Sequence, residues 1–241
     1  MVQLLAEPPS LAHETIDALR AARSEGRPTY LLTAMDGERR RLTEAEAEGL
    51  GERAALAMAH GRPTVLGESV LDPILPPLHL VICGAGADAR ALVAAGARLG
   101  WRVTVVDSRR SLLRDERFPG ARLLDAEPAD AAASAAAGEW TAVVVMSHDY
   151  IRDAAFVGGF LGRGVTYLGV LGPRDRTERL LAELMPPPSD ADLAVLHAPA
   201  GLDIGADGAE QVATAIVAEI LAVLHGRSGV PLRGVRGAIH G

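Results

Sequence analysis

The stretch HLVICGAGADA (79–89) ends an apolar run on Cys83 and then places Gly84, Gly86 and Ala89 at the positions of a G-x-G-x-x-G/A turn. Each residue type has a physical task there. Gly84 lets the chain reverse sharply, Gly86 lets a pyrophosphate approach the backbone, and Ala89 lets the following helix lie close to a sheet. The helix N-terminus then offers unpaired N–H groups and a partial positive charge to an anion. The next apolar run, WRVTVVD (101–107), closes on Asp107, whose carboxylate is placed to accept from ribose hydroxyls. The plainer alternative is a tight strand-to-helix connection with an aspartate at a strand end. Arg109 and Arg110 follow directly, either to meet a phosphate or to form a solvated loop. Cys83 has two readings as well: a small packed thiol, or an exposed thiol of lowered pKa that handles sulfur or touches a metal.

Further candidates follow three later apolar runs. His148 and Asp149 come after TAVVVMS (141–147), where an imidazole beside a carboxylate can serve as acid or base or contact a phosphate. Ser147 and Asp149 are equally good N-caps for a helix that begins there. After TYLGVLG (166–172), Gly169 and Gly172 permit a backbone loop to approach a ligand, and Arg174 can pair with an anion. After AVLHAP (194–199), with His197 and Pro199 at its end, comes GLDIG, in which Gly201 and Gly205 flank Asp203, an orienting carboxylate, a transient metal contact or a turn acid. Asp207-x-x-Glu210 has the spacing of a capping box for the last helix.

The elements that must carry these residues are short apolar strands alternating with amphipathic helices, the pattern of a parallel sheet covered on both faces. To the strands named above RLLD (122–125) is added. The helix after Gly86 buries Ala89, Leu92, Val93, Gly96 and Leu99; the one from about Gly208 to His225 repeats Val212, Ile216, Ile220 and Leu224. PADAAASAAAG (128–138) is a short alanine-rich helix. The fold class is α/β: a Rossmann-like, doubly wound parallel sheet, with a small N-terminal α+β region. The boundary falls at Pro76-Pro77, which fits neither a helix nor a central strand. That gives an N-terminal region at 1–77, a Rossmann-like domain at 78–226 and a flexible tail at 227–241. Within the first region the pattern predicts a helix over 10–26 with Ser10 as N-cap, a strand TYLLTAM (29–35), and a turn carrying Arg39, Arg40 and Arg41. A capping box Thr43-x-x-Glu46 opens one helix to about His60, and PTVLGESVL (63–71) is extended.

Composition narrows the function. The chain has 241 residues, 49% apolar and 23% charged, and a net charge of −7, which argues against nucleic acid as the main partner. All 24 basic residues are arginine, so Schiff-base chemistry and a phosphate-loop lysine are excluded, as is the Tyr-x-x-x-Lys pair of short-chain dehydrogenases. One cysteine permits no intrachain disulfide and no cysteine-based zinc site. No apolar run approaches a membrane span, and the first basic residue is Arg20, which together predict a cytoplasmic protein with no membrane partner.

The glycine turn, MSHDY (146–150), YLGVLGPRDR (167–176) and HAPAGLDIGADGAEQVATAIVAEILAV (197–223), in this order and spacing, resemble the C-terminal Rossmann domain of the XdhC/CoxI family over roughly 78–225. The resemblance implies an accessory protein of molybdenum hydroxylases such as xanthine dehydrogenase, aldehyde oxidoreductase or CO dehydrogenase. Such a protein binds the molybdenum cofactor, as molybdopterin or its cytosine dinucleotide, protects it during sulfuration and helps insert it into the apo-enzyme. A cysteine desulfurase as a second partner and a homodimer are expected beside it, and His148, at its strand's carboxyl end, is also placed to contact a molybdenum-bound oxygen. Residues 1–77 lack the G-S-x-G-G-G-C-x-E segment of longer family members and contain no cysteine. The competing reading is an oxidoreductase that holds NAD(P) in the same cleft.

Overall fold

The computed structural model describes residues 12–234; the expected N-cap Ser10 and the end of the C-terminal tail lie outside the described residues. The chain divides into two compact units between Pro77 and Leu78. Among the described residues no helix is long and apolar enough to cross a membrane.

The first unit is an antiparallel sheet with helices on both faces. Its elements are α1 (Ala12–Glu25), β1 (Thr29–Ala34), β2 (Arg39–Leu42), α2 (Glu44–Glu48), α3 (Glu52–His60), β3 (Thr64–Leu66) and β4 (Ser69–Ile74), with strand order β2-β1-β4-β3. Successive side chains of a strand point to opposite faces. Tyr30 accordingly packs with Leu42, Ala47, Ala54, Ala57 and Leu71, and Leu31 with Ala18, Ala22 and Ile74. Two expectations are corrected. The basic run Arg39 to Arg41 is the edge strand β2, paired with β1, rather than part of the turn. The helix expected from Thr43 to His60 is two, broken at Gly49 to Gly51, where Gly51 takes a φ of +95° as N-cap of α3. The Thr43–Glu46 capping box itself forms, with both reciprocal bonds present.

The second unit runs β5 (His79–Cys83), α4 (Ala89–Arg98), β6 (Arg102–Asp107), β7 (Arg122–Asp125), α5 (Ala131–Ser134), β8 (Thr141–Val145), α6 (Tyr150–Phe160), β9 (Tyr167–Val170), α7 (Arg174–Glu183), α8 (Asp190–Ala194), β10 (Leu196–His197) and α9 (Ala209–Leu224). All its strand pairs are parallel, in the order β10-β9-β8-β5-β6-β7. Every residue of β5 and β8 is buried, which is why both read as unbroken apolar runs. One face packs Leu80, Ile82 and Val144 against Leu92, Ile216 and Ile220 from α4 and α9; the other packs Val81, Val143 and Val145 against Phe156, Phe160 and Leu180 from α6 and α7. The strand order reverses between β5 and β8, and ligands of open α/β sheets bind outside the strand ends at such a point.

Three details differ from the sequence expectation. Leu99 is 45% exposed and lies outside the buried stripe of α4. The last strand is only two residues long. Gly208, with a φ of +82° and no side-chain cap, is the N-cap of α9, while Asp207 spends its N–H on Gln211 Oε1; the Asp207–Glu210 capping box does not form.

His79 begins β5 with Nε2 2.8 Å from Thr104 Oγ1 and with Nδ1 buried and unpartnered. Burial, aided by Arg102 and Arg122, lowers its pKa from 6.5 to about 4. The unfolded chain therefore takes up a proton between those values while the fold refuses it, so stability falls as pH drops through that window. Urea unfolding at pH 7 and pH 4 should show a loss on the order of 3 kcal/mol from this group. The same pair of measurements on His79→Gln should show little of this loss; a variant that keeps the wild-type pH profile would remove His79 as its source.

Candidate functional site

The two glycines of the turn do different work. Gly84 has a φ of +114°, and a Cβ there would stand 2.6 Å from Ser147 Cα and 2.8 Å from Met146 O. The exits of β5 and β8 touch at this point, and only a glycine fits. Gly86 faces open space, the nearest atom to an added Cβ being His148 Cδ2 at 3.9 Å. The amides of Gly86, Ala87 and Asp88 take no hydrogen-bond partner among the described residues. Asp88, at the N-cap position of α4, has helical backbone angles and makes no side-chain capping bond. The start of α4 thus presents free N–H groups at the switch point, the arrangement that binds oxyanions. On the far side Arg117 donates to the carbonyls of Leu112 and Ala85, and beyond it a cavity of about 520 Å³ opens along α4.

Asp107 is wholly buried and accepts five hydrogen bonds. Oδ2 receives Ala85 N–H at 2.8 Å and Arg109 Nη2 at 2.8 Å; Oδ1 receives Arg109 N–H at 2.8 Å, Arg109 Nε at 3.0 Å and Arg152 Nη2 at 2.7 Å. A carboxylate has about four lone-pair directions, so none is left for a ribose hydroxyl in this arrangement. Burial alone would raise its pKa; the bonds from Arg109 and Ala85 and the charge of Arg152 outweigh burial and hold it at about 2. Arg109, expected either as a phosphate contact or as a loop residue, is a bidentate partner of Asp107 whose side chain is still 43% exposed. Arg110 is a solvated residue with a 3.9 Å contact to Asp125.

At the end of β8, Ser147 donates its hydroxyl to Asp153 Oδ1 at 2.6 Å, and Asp153 Oδ2 accepts from Arg176 Nη2 at 2.7 Å. Asp149 caps α6 by accepting from Arg152 N–H. His148 lies between them with a φ of +59°, a left-handed conformation that a side chain rarely adopts, and its Nε2 stands 3.1 Å from Asp88 Oδ2. Cys83 is fully buried, and desolvation, reinforced by Asp153 and Asp107, pushes its thiol well above the ordinary range. It is the packed thiol of the two readings, unsuited to nucleophilic or metal chemistry.

The third arm is built on Glu219. Its Oε2 accepts from Tyr167 Oη at 2.6 Å and from Gly201 N–H at 2.7 Å, and its Oε1 is 3.4 Å from His197 Nδ1, whose ring stacks on Tyr167. Gly169 serves this packing rather than a ligand, since a Cβ there would strike Tyr167 Cε1 and Oη at 2.7 Å. Gly201 (φ +108°) packs on Ala215; Gly172 (φ +129°) precedes α7; and Pro199 follows a cis peptide bond. Arg174, Asp203 and Gly205 are exposed, and the side chains of Arg174 and Asp203 make no hydrogen bond among the described residues.

Gly84, Gly86, Asp107, Arg109, His148 and Asp149 are therefore brought together at the switch point, whereas Gly201, Asp203 and Gly205 belong to a separate loop after β10. A family model for the XdhC Rossmann domain matches residues 80–220. The chain belongs to this family. It is 34% identical over 152 residues to a protein of Bacillus subtilis (strain 168) named as a probable xanthine dehydrogenase subunit, covering 63% of this chain and 44% of that protein. It is also 32% identical over 154 residues to the uncharacterized protein YqeB of Escherichia coli (strain K12), covering 63% of this chain and 28% of that one. The matched region thus spans less than half the length of either curated relative. A crystal structure described as a xanthine dehydrogenase from Bacillus halodurans superposes with a TM-score of 0.70 at 23% identity, over 88% of this chain and 67% of that chain, a likeness of fold.

Sequence reasoning missed Arg152, Asp153, Arg176, Asp88 and Glu219. Two signals were present. Arg152 and Asp153 fall in the first turn of a helix starting at a buried strand's end, and Glu219 interrupts the apolar run of α9. Replacing Gly84 by Ala is expected to destabilise the protein by about 3 kcal/mol or more, because its contacts are backbone atoms that cannot yield. Gly86→Ala should leave the urea midpoint nearly unchanged, and equal losses in the two variants would contradict this division of labour. Asp107→Ala, which strands the largely buried Arg152, should cost about 3 kcal/mol at pH 7. Since the folded pKa of Asp107, about 2, lies below the ordinary 3.8, that contribution is complete above the ordinary value and is lost as pH falls through the folded one.

Proposed function

We propose that the Rossmann unit holds the molybdenum cofactor, as molybdopterin or its cytosine dinucleotide, on behalf of a xanthine dehydrogenase-type apo-enzyme, and hands it on. The observation that carries this reading is the set of open amides at Gly86, Ala87 and Asp88, at the switch point of a chain that belongs to the XdhC family. These amides and the exposed guanidinium of Arg109 fit a phosphate group, through direct N–H bonds and charge. The cofactor would supply its oxygen-transfer chemistry only in the client. This chain's residues bind and orient the phosphate end, and none is required to turn over substrate. Cys83 is buried and out of reach, so it would not serve as a sulfur relay were a cysteine desulfurase to supply sulfur for the cofactor. The name of the Bacillus subtilis relative supports a molybdenum hydroxylase as the client.

The oxidoreductase alternative needs an acceptor for the ribose diol of NAD(P), and Asp107 has none to spare. Equilibrium binding under anaerobic conditions, with molybdopterin cofactor and with NAD(P) in separate titrations, should show retention of the pterin and no saturable dinucleotide binding. Gly86→Ala should weaken the pterin at least tenfold without lowering the melting temperature. Tight NAD(P)H binding with no pterin affinity would replace this reading with the oxidoreductase.

A further inference from the structure

Four aspartates surround the switch point, and three are committed. Asp107 is buried under Arg109 and Arg152, Asp153 is buried under Ser147 and Arg176, and Asp149 caps α6. Among the described residues Asp88 has neither an arginine nor a backbone N–H as partner; one surface contact, to His148, holds it, with the two side chains 42% and 58% exposed. That contact spans the cleft: Asp88 stands at the start of α4 on the β5 side, and His148 comes from the turn after β8. His148 makes it from the left-handed backbone conformation, an arrangement sustained by its neighbours, since Ser147 N–H and hydroxyl are both tied to Asp153. The carboxylate at the open amides is therefore the protein's own. It carries the same charge as a phosphate and repels one, while the imidazole it occupies is a group a phosphate can use.

We propose that the His148–Asp88 contact is a latch across the glycine turn that a ligand's phosphate displaces, His148 passing from the Asp88 carboxylate to the phosphate oxygen. Asp88 then sets the affinity threshold of the site, and His148 is a further hydrogen-bond donor beside the amides and Arg109. No covalent bond changes; a hydrogen bond to a carboxylate is exchanged for one to a phosphate. The inference rests on the reading of this turn as a phosphate site.

The test is calorimetric titration of the full chain with inorganic pyrophosphate, in wild type, Asp88→Asn, His148→Gln and the double variant, each checked for an unchanged melting temperature. Backbone amide shifts of Gly86 and Ala87 report the place of binding. Asp88→Asn is expected to tighten pyrophosphate about five- to tenfold and His148→Gln to weaken it by a similar factor. In the double variant the gain from Asp88→Asn should shrink to about twofold or less, because the freed imidazole is no longer there. Binding at these amides that Asp88→Asn leaves unchanged, or a gain of equal size with and without His148, overturns the latch while leaving the phosphate site standing. No binding at the turn by any of the four forms overturns both.

Discussion

A single buried carboxylate ties together three loops at the carboxyl end of this Rossmann unit's sheet. Asp107, at the end of β6, joins the glycine turn through Ala85, the following loop through Arg109, and the first turn of α6 through Arg152. These segments come from three different strand-to-helix connections, and no apolar contact could fix them so closely in angle. A charge removed from water is costly unless fully bonded, and five donors meet that demand. The same saturation changes the site's chemistry. An acid that in a dinucleotide-binding protein would face a ribose faces arginines here, so guanidinium groups gather at this end of the sheet in a chain whose net charge is −7.

The exclusive use of arginine has a structural counterpart. Arg109 reaches Asp107 with two nitrogens at once, Arg152 divides its donors between Asp107 and Ser108, and Arg117 spreads its donors over three carbonyls while lying over the Phe118 ring. Each task needs a planar fork of several donors, which a lysine ammonium cannot supply. Arg176 performs the same kind of work at Asp153, where it also lies over Tyr150. The loops at the carboxyl end of the sheet are thus locked by guanidinium groups more than by apolar packing. What remains adjustable is the exposed pair of Asp88 and His148.

The alternation of apolar runs and amphipathic helices made the doubly wound sheet legible, and the G-x-G-x-x-A spacing located its first turn. The resemblance carried by the three later segments and the match over residues 80–220 meet on the same family. Side-chain partnerships were less legible. Asp107 looked like a ribose acceptor because its position in the strand is all a sequence shows; that Arg152, 45 positions away, would consume its lone pairs depends on α6 starting beside β6. Gly169 looked like a ligand-approach glycine, yet its missing side chain makes room for the Tyr167 ring on the same strand. The broken helix at Gly49 to Gly51 was missed because alanine- and glutamate-rich flanks favour a helix on both sides of the break.

Local rules decided what is local. Strand burial follows from apolar runs, helix starts from Thr43 and Asp149, and the sharp turn from Gly84, since each depends on neighbours within a few residues. Tertiary structure alone decided which acids are free. Asp88, Asp107, Asp149 and Asp153 are chemically alike in the sequence, but burial and arginine side chains fix Asp107 and Asp153, the backbone of α6 holds Asp149 as its cap, and Asp88 meets, among the described residues, only the His148 ring. The energy of a carboxylate depends on how much water it keeps and which donors surround it, and both are properties of the folded chain.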